Sequence, residues 1–163
     1  MRLGPKAMAY IMSSVCCLPV GLVQAACGGA PSTSSRLTAK GGSVYDSETD
    51  LTWQRCSVGM KWVEAKGCIG VATRGTWKEA NATPWKEGWR IPAPEELETI
   101  LEKNCNNPSI DERVFPKTAS DGYWTNRSDG TACWTVSFSD GRTTTSFCGA
   151  NFAVRLVRAG KEF

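Results

Sequence analysis

The chain has 163 residues with 19 basic and 16 acidic side chains, which gives a formal net charge of +3, and it contains no histidine. A charge this close to zero provides no general attraction to nucleic acid or to a membrane surface. Without histidine, Ser-His-Asp and Cys-His catalysis and histidine-ligated zinc sites are excluded. The 7 tryptophans and 16 glycines predict a loop-rich domain that packs around aromatic side chains.

Residues 1–25 have the organisation of an export signal. Arg2 and Lys6 precede an uncharged run over residues 7–22, and small residues lead up to Ala25, as signal peptidase requires. Pro19 interrupts the apolar part, which is shorter than the stretch that a transmembrane helix needs to span a bilayer. Removal of this segment leaves about 138 residues with a formal charge near +1, enough for one domain with a single core.

Cys27 allows a second interpretation, in which it is the lipidated residue of an anchored lipoprotein. However, Gln24 lies where such a signal has an apolar residue, and lipidation would leave an odd number of cysteines. We therefore expect an exported protein without a lipid anchor, in the periplasm or outside the cell.

Residues 26–43 are rich in Gly, Ser and Thr, which predicts a flexible lead-in tethered by Cys27, followed by a folded domain over residues 44–163. Residues 44–45 and 51–54 are short strand candidates. The turn between them carries Asp46, Glu48 and Asp50, which resemble the start of a calcium loop. The later glycine and glutamate of such a loop are missing, so a solvated turn without metal is the preferred interpretation.

Two short helices are predicted in the middle of the chain. Thr76 and Glu79 have the spacing of a capping box, which predicts a helix from Trp77 to about Ala82. Pro94 suits the first turn of a second helix, whose apolar stripe consists of Leu97, Ile100 and Leu101. The carboxylates of this second helix are interpreted as its solvated face and dipole cap rather than as catalytic groups. They are Glu95, Glu96, Glu98 and Glu102.

The last third of the chain predicts strands. Residues 123–125 and 152–157 are candidates, and residues 134–138 and 143–147 form a hairpin around Asp140-Gly141, a strong two-residue turn signal. Symmetric pairing about that turn places Trp134 opposite Phe147. The order of the predicted elements, with strands at both ends of the chain and two helices in the middle, indicates an α+β fold of small antiparallel sheets.

Six of the eight cysteines lie outside the export signal, which predicts three disulfides in an oxidising compartment. Cys133 and Cys148 are equidistant from the hairpin turn, so they would face each other within disulfide distance. Two cysteines close in sequence form a local bridge, and the remaining two join the lead-in to the end of the second helix. The predicted pairs are Cys27–Cys105, Cys56–Cys68 and Cys133–Cys148.

The tryptophans divide into two groups. One group lies in strand and turn contexts, where a buried position is favoured over a sugar-stacking platform; it consists of Trp53, Trp89, Trp124 and Trp134. Trp62 and Trp85 lie in less regular stretches and are the better candidates for exposure.

Motifs along nearly all of the mature chain appear in an order that resembles the Lcl C-terminal domain family, long catalogued as a bacterial domain of unknown function. The motifs include Val44-Tyr45-Asp46, Leu51-Thr52-Trp53-Gln54-Arg55-Cys56, Gly88-Trp89-Arg90-Ile91-Pro92, Pro108-Ser109-Ile110-Asp111, Tyr123-Trp124-Thr125 and Val154-Arg155-Leu156-Val157-Arg158.

The resemblance implies a C-type-lectin-like architecture, in which N- and C-terminal strands pair and two helices flank small twisted sheets. Residues 77–97 are also similar to the formylglycine-generating enzymes. The best-known relative is the trimeric tip of a collagen-like bacterial adhesin that binds sulfated glycosaminoglycans, so the resemblance includes a homo-oligomer among the expected partners. This sequence has no Gly-X-Y repeat, and Ala93 stands where relatives carry a polar helix cap.

Two classes of function compete. An enzyme of the formylglycine-generating type would need a reactive cysteine pair late in the chain, whereas Cys133 and Cys148 suit a structural disulfide. We therefore expect a non-enzymatic, adhesin-like recognition module that binds a glycan or an envelope or host protein. It would use no cofactor, metal or nucleic acid. A structural or accessory protein of the cell envelope is the alternative.

The resemblance also suggests where a ligand would bind. In C-type-lectin-like domains the ligand surface is formed by long loops, here residues 106–130 and the hairpin tip, which carry Lys117, Arg127 and Arg142. Arginine binds sulfate and carboxylate groups through a planar fork. These three residues are therefore the predicted site for sulfated or uronic-acid glycans, and ordinary solvated charges are the alternative.

Overall fold

The structure is a computed structural model that describes Met1, Cys27 and residues 32–163. The predicted export signal, apart from Met1, lies outside the described residues. Within the described part of the chain, no helix has the length and apolar character needed to cross a bilayer.

The first sheet joins the two ends of the domain. Its strands are β1 (Leu37–Lys40), β2 (Ser43–Asp46), β3 (Leu51–Gln54) and β9 (Val157–Ala159), after a 3-10 turn at Ser32–Ser35. The order is β1-β2-β3-β9, all antiparallel. Trp53 pairs with Val157, so the N- and C-terminal strands are neighbours as expected.

Two further sheets and two helices complete an α+β fold, as the sequence predicts. The second sheet is the hairpin of β4 (Lys61–Val63) and β5 (Gly67–Ile69). The third has the order β6-β7-β8, with β6 (Gly122–Ser128), β7 (Ala132–Ser137) and β8 (Arg142–Phe147). The helices are α1 (Trp77–Ala82) and α2 (Pro94–Glu98). β8 is the outer strand of its sheet and is mostly exposed.

Both helices begin where the sequence predicts. At α1 the Thr76 hydroxyl accepts the Glu79 amide proton at 3.3 Å, and the Glu79 carboxylate accepts the Thr76 amide at 2.8 Å, which completes the capping box. Ala93 has no side-chain oxygen, but the Glu96 carboxylate accepts its amide at 2.7 Å. Leu97 and Ile100 are fully buried, but α2 ends at Glu98, so the predicted helical stripe is confirmed at Leu97 only and Ile100 lies in the turn that follows the helix.

The segment before β2 is more ordered than predicted. Residues 37–40 form β1, so the assignment of residues 26–43 to a flexible lead-in is wrong for that stretch. Buried carboxylates fix the residues before it: Asp46 forms an ion pair with Arg36 at 2.9 Å, and Glu102 accepts the Thr33 amide at 3.0 Å. Both carboxylates are fully buried, so their interpretation as solvated groups is also wrong.

The hairpin forms with a different register. Trp134 pairs with Thr145, and Phe147 pairs with Ala132, so the predicted pairing of Trp134 with Phe147 is wrong. Phe138 leaves the ladder because it is buried, donating its amide to Asp121 and accepting from Ser109. The register moves by two residues, and each side chain therefore stays on its predicted face.

All three predicted disulfides are present. Cys133 and Cys148 have a Cα separation of 5.1 Å, although Ser146 is the residue directly opposite Cys133. Cys148 lies just beyond β8 and reaches Cys133 diagonally, a geometry that the two-residue register shift still permits. Cys27 is tethered to Cys105, as predicted for the lead-in.

Residues 152–156 run through the interior instead of forming the predicted half-buried strand. Ala153 accepts from the Trp124 amide, Val154 from Val58 and Leu156 from Gln54. The segment therefore bonds to residues 54–58 and, separately, to Trp124, and regular pairing begins only at Val157. It separates two hydrophobic clusters, one centred on Trp53 and one on Trp124.

Arg155 lies on this segment with no exposed surface. Its guanidinium donates to the carbonyls of Gln54 and Arg55 at 2.8 and 2.6 Å, and to the Thr118 hydroxyl at 2.7 Å. It also stacks on Phe115, 4.8 Å from the ring centre. Among the described residues no carboxylate forms an ion pair with it, so its hydrogen bonds to neutral oxygens compensate for its burial.

We expect Arg155→Met to lower the free energy of unfolding by about 3 kcal/mol or more, because two buried carbonyls lose their donor. Denaturant titration measures the change. Arg142→Met removes an arginine that is 82% exposed and serves as the matched control, expected to change stability by less than about 0.5 kcal/mol. Equal effects of the two substitutions would contradict the structural role of Arg155.

The interaction of Glu96 with Arg90 should make stability depend on pH. A hydrogen bond from the Arg90 guanidinium lowers the pKa of the Glu96 carboxyl below its usual range. A lowered folded-state pKa stabilises the protein above the unfolded value of about 4.3 and loses this effect as pH falls through the folded value. We expect Glu96→Gln to be less stable than wild type near neutral pH, with a difference that shrinks below about pH 4. Glu112→Gln removes a carboxylate that makes no side-chain hydrogen bond or ion pair among the described residues, and it serves as the control for the loss of one acidic group.

Candidate functional site

The structure places the three predicted ligand-binding cations in separate surroundings. Arg127 forms an ion pair with Glu95 at 2.6 Å, and that bond lowers the pKa of Glu95. Arg142 lies 3.7 Å from the Asp140 carboxylate and is highly exposed. Lys117 lines a cavity of about 470 Å³ with Val71 and Arg74.

The sheet register separates two of these cations further. Arg142 pairs with Ser137, which pairs with Gly122 at the start of β6, whereas Arg127 is near the end of β6. Ser128, the residue after Arg127, pairs with Cys133, four residues from Ser137 along β7, so at a rise of about 3.3 Å per residue the two arginines lie roughly 10 to 13 Å apart along the sheet. The structure therefore does not gather the three residues into one site, and their role in ligand binding stays a prediction.

A different feature combines aromatic and polar side chains. Trp62, Trp85 and Trp89 line two adjoining cavities of about 310 and 440 Å³, which we call the tryptophan groove. Trp62 lines the first cavity, Trp85 lines the second, and Trp89 lines both. Gln54, Met60 and Glu87 also line both cavities, so the two cavities adjoin along these shared wall residues.

Trp62 is held by the hairpin of β4 and β5. The Cys56–Cys68 disulfide anchors this hairpin, because Cys68 pairs directly with Trp62. One face of the indole stacks on the Arg55 guanidinium, 4.0 Å from the ring centre. Arg55 itself is fixed by donation from its Nε to the Val114 carbonyl at 2.8 Å. These contacts limit the motion of the indole.

Trp85 and Trp89 lie on the loop after α1. The Trp85 indole donates to the Ala80 carbonyl at 3.2 Å, and the Trp89 amide donates to Lys86 at 3.1 Å, which closes a tight turn. Glu87 and Gly88 adopt positive φ angles of 60° and 74°. Such a conformation is unfavourable for a residue with a Cβ atom, so the turn holds Glu87 at a strained position between the two tryptophans.

Arg158 supports the other end of the groove. Its guanidinium lies 4.5 Å from the Trp89 ring centre, and it is paired with Glu162 at 3.4 Å. The backbone of Arg90 exchanges two hydrogen bonds of 2.9 Å with Val157. The loop that carries Trp89 is therefore fixed to the first residue of β9.

Several polar side chains in the groove have no partner among the described residues. Within the described part of the chain, Gln54, Lys86 and Glu87 make no side-chain hydrogen bond or ion pair, although all line one of the two cavities. Together they offer an amide, an ammonium and a carboxylate to a ligand. Aromatic rings combined with unpaired donors and acceptors suit a ligand that has both an apolar face and hydroxyl groups.

The tryptophan predictions are confirmed in part. Trp53 and Trp124 are fully buried, as expected. Trp89 and Trp134 are only partly buried, so the prediction of a core position does not hold fully for them, and Trp62 and Trp85 are also partly exposed. The Glu-Gly turn between Trp85 and Trp89 is the signal in the sequence that could have indicated the groove.

Across the residues that the structure describes, no three His, Cys, Asp or Glu side chains lie close enough together to hold a metal ion. The expectation that the protein needs no metal stays a prediction.

Comparison with known proteins gives one result. No curated protein and no solved structure matches the chain significantly. The model of the Lcl C-terminal domain matches residues 42–158, a range that contains every wall residue of the tryptophan groove. The chain therefore belongs to the Lcl C-terminal domain family.

Proposed function

We propose that this protein is an exported, non-enzymatic recognition module that binds a glycan in the tryptophan groove. The observation that carries the proposal is the position of three partly exposed indoles beside the unpaired side chains of Gln54, Lys86 and Glu87. Indole rings pack against the C–H faces of sugars, and amide, ammonium and carboxylate groups bind their hydroxyls.

Two features support the export and the lectin-like architecture that this proposal includes. Three disulfides are typical of proteins in oxidising compartments outside the cytosol. The pairing of β3 with β9 supports a C-type-lectin-like architecture, in which the chain ends meet and the loops between them carry recognition.

Other features support a role without catalysis. Cys133 and Cys148 are joined as a disulfide, which removes the reactive thiols that a formylglycine-generating activity would need. Glycoside hydrolysis generally uses two facing carboxylates. The walls of the two groove cavities carry one, from Glu87.

A second proposal follows from the exposed cations. Lys117, Arg127 and Arg142 could bind sulfated or uronic-acid glycans at several separate points of a long polymer. The exposure of Lys117, which has no ion-pair partner among the described residues, favours this proposal. The carboxylates beside Arg127 and Arg142 weaken it.

Glycan binding can be tested on an array of neutral and anionic glycans probed with the purified protein. We expect wild type and Trp134→Ala to bind the same glycans, because Trp134 is a partly exposed tryptophan outside the groove. Trp62→Ala and Trp89→Ala should lose at least about 90% of the signal, a loss of about 1.4 kcal/mol. Absence of any bound glycan for a folded wild type would reject the proposed function.

Heparin chromatography tests the cations separately. The second proposal predicts that the Lys117→Ala, Arg127→Ala, Arg142→Ala triple variant elutes earlier than a control with the same charge loss. Lys66→Ala, Lys78→Ala and Lys103→Ala provide that control, because all three lysines are exposed. Identical elution of the two triple variants would show that heparin responds to net charge alone.

A further inference from the structure

We infer that the tryptophan groove is a row of sugar subsites that selects an uncharged, linear oligosaccharide over an anionic one. This inference rests on the proposed glycan binding and specifies its ligand.

The length of the ligand follows from a third cavity that continues the groove. This cavity of about 390 Å³ shares Val58 and Trp85 with the second cavity and is also lined by Gly75, which precedes α1, and by Thr83 at the end of α1. The order of the tryptophans along the depression is therefore Trp62, Trp89, Trp85, with Trp89 at the first junction and Trp85 at the second. A linear chain of sugars that follows the three cavities would contact each tryptophan in turn.

The charge of the ligand follows from the balance of charges along the walls. Lys86 and Glu87 are adjacent and opposite in sign, and Arg158 is already paired with Glu162. In the third cavity Arg74 is paired with Asp121 at 2.7 Å. No excess of unpaired cations therefore faces the groove, and a polymer with a sulfate or carboxylate on each sugar would bring repeated negative charge towards Glu87.

The rigidity of the walls supports direct binding without large rearrangement. The Arg55 and Arg158 guanidiniums stack on Trp62 and Trp89 at 4.0 and 4.5 Å from the ring centres. Because these contacts orient the two indoles without a ligand, binding against the part of each ring that lines the groove costs little conformational entropy.

The test uses calorimetry with neutral and charged probes on the full protein. The neutral probes are cellotetraose, xylotetraose, chitotetraose and maltotetraose with their shorter homologues, and the charged probes are a heparin tetrasaccharide and tetragalacturonate. We expect at least one neutral series to bind, with affinity rising up to about tenfold for each of the first sugars added. That affinity should stay constant between about 0.05 and about 0.5 M NaCl, since salt screens only charged contacts.

Two variants test the position. Trp89→Ala should weaken the tetrasaccharide about tenfold or more and flatten the dependence on length, whereas Trp134→Ala should change neither. Trp89 also packs against the hydrophobic cluster centred on Trp124, so its removal affects stability as well. Gln54→Ala removes a side-chain amide that has no internal partner, and this variant should weaken binding in a folded protein. An unchanged affinity of Gln54→Ala and of a folded Trp89→Ala would overturn the assignment to the groove.

The possible results distinguish the choice of ligand from glycan binding itself. Binding of charged probes alone, lost as salt rises, would overturn this inference and leave glycan binding intact. Affinity independent of chain length would overturn the row of subsites. Binding of no glycan at all would overturn both.

Discussion

The guanidinium of Arg155 is fully buried and joins parts of the chain about 100 residues apart. Burial lowers the pKa of this group, which reflects the cost of removing it from water. Its hydrogen bonds to Gln54, Arg55 and Thr118 offset that cost. The segment around it is therefore confined to the one path that satisfies these bonds, between the two hydrophobic clusters.

The same segment connects this interior constraint to the surface. Three residues after Arg155, Arg158 lies beside Trp89. Val157, which directly precedes Arg158, anchors Arg90 through two backbone hydrogen bonds. Gln54 accepts from Arg155 through its carbonyl while its side chain lines the groove. The groove walls are thus direct extensions of the buried network, which explains how a loop-rich region can hold three aromatic rings in fixed positions.

Arginine stacks on aromatic rings at three places with different consequences. Between Arg155 and Phe115 the stack is buried and stabilises the interior. Between Arg55 and Trp62, and between Arg158 and Trp89, it lies at the surface and orients rings that line a cavity. The planar guanidinium permits both uses, because it can stack and donate hydrogen bonds in its plane at the same time.

Sequence reasoning succeeds where the determinants are local and fails where they are distant. The capping box of Thr76 and Glu79 fixes the start of α1 within four residues, and cysteine spacing identifies the disulfides. The register of the β7–β8 hairpin depends on burial of Phe138 against residues far away in the chain, so a turn signal alone cannot define it. The same holds for Asp46 and Glu102, whose partners lie in a segment that looks irregular by composition. The groove combines residues from 42–62, 84–89 and 156–158, which only the tertiary fold brings together.

The outer strand β8 offers a further consequence for protein engineering. The hairpin turn holds its beginning and the Cys133–Cys148 bond holds its end, while Thr144, Thr145 and Phe147 are exposed. Because these side chains contribute little to packing, the strand is a natural position for combinatorial libraries. A covalently clamped ribbon with replaceable side chains would let the scaffold acquire new specificities while its interior stays unchanged.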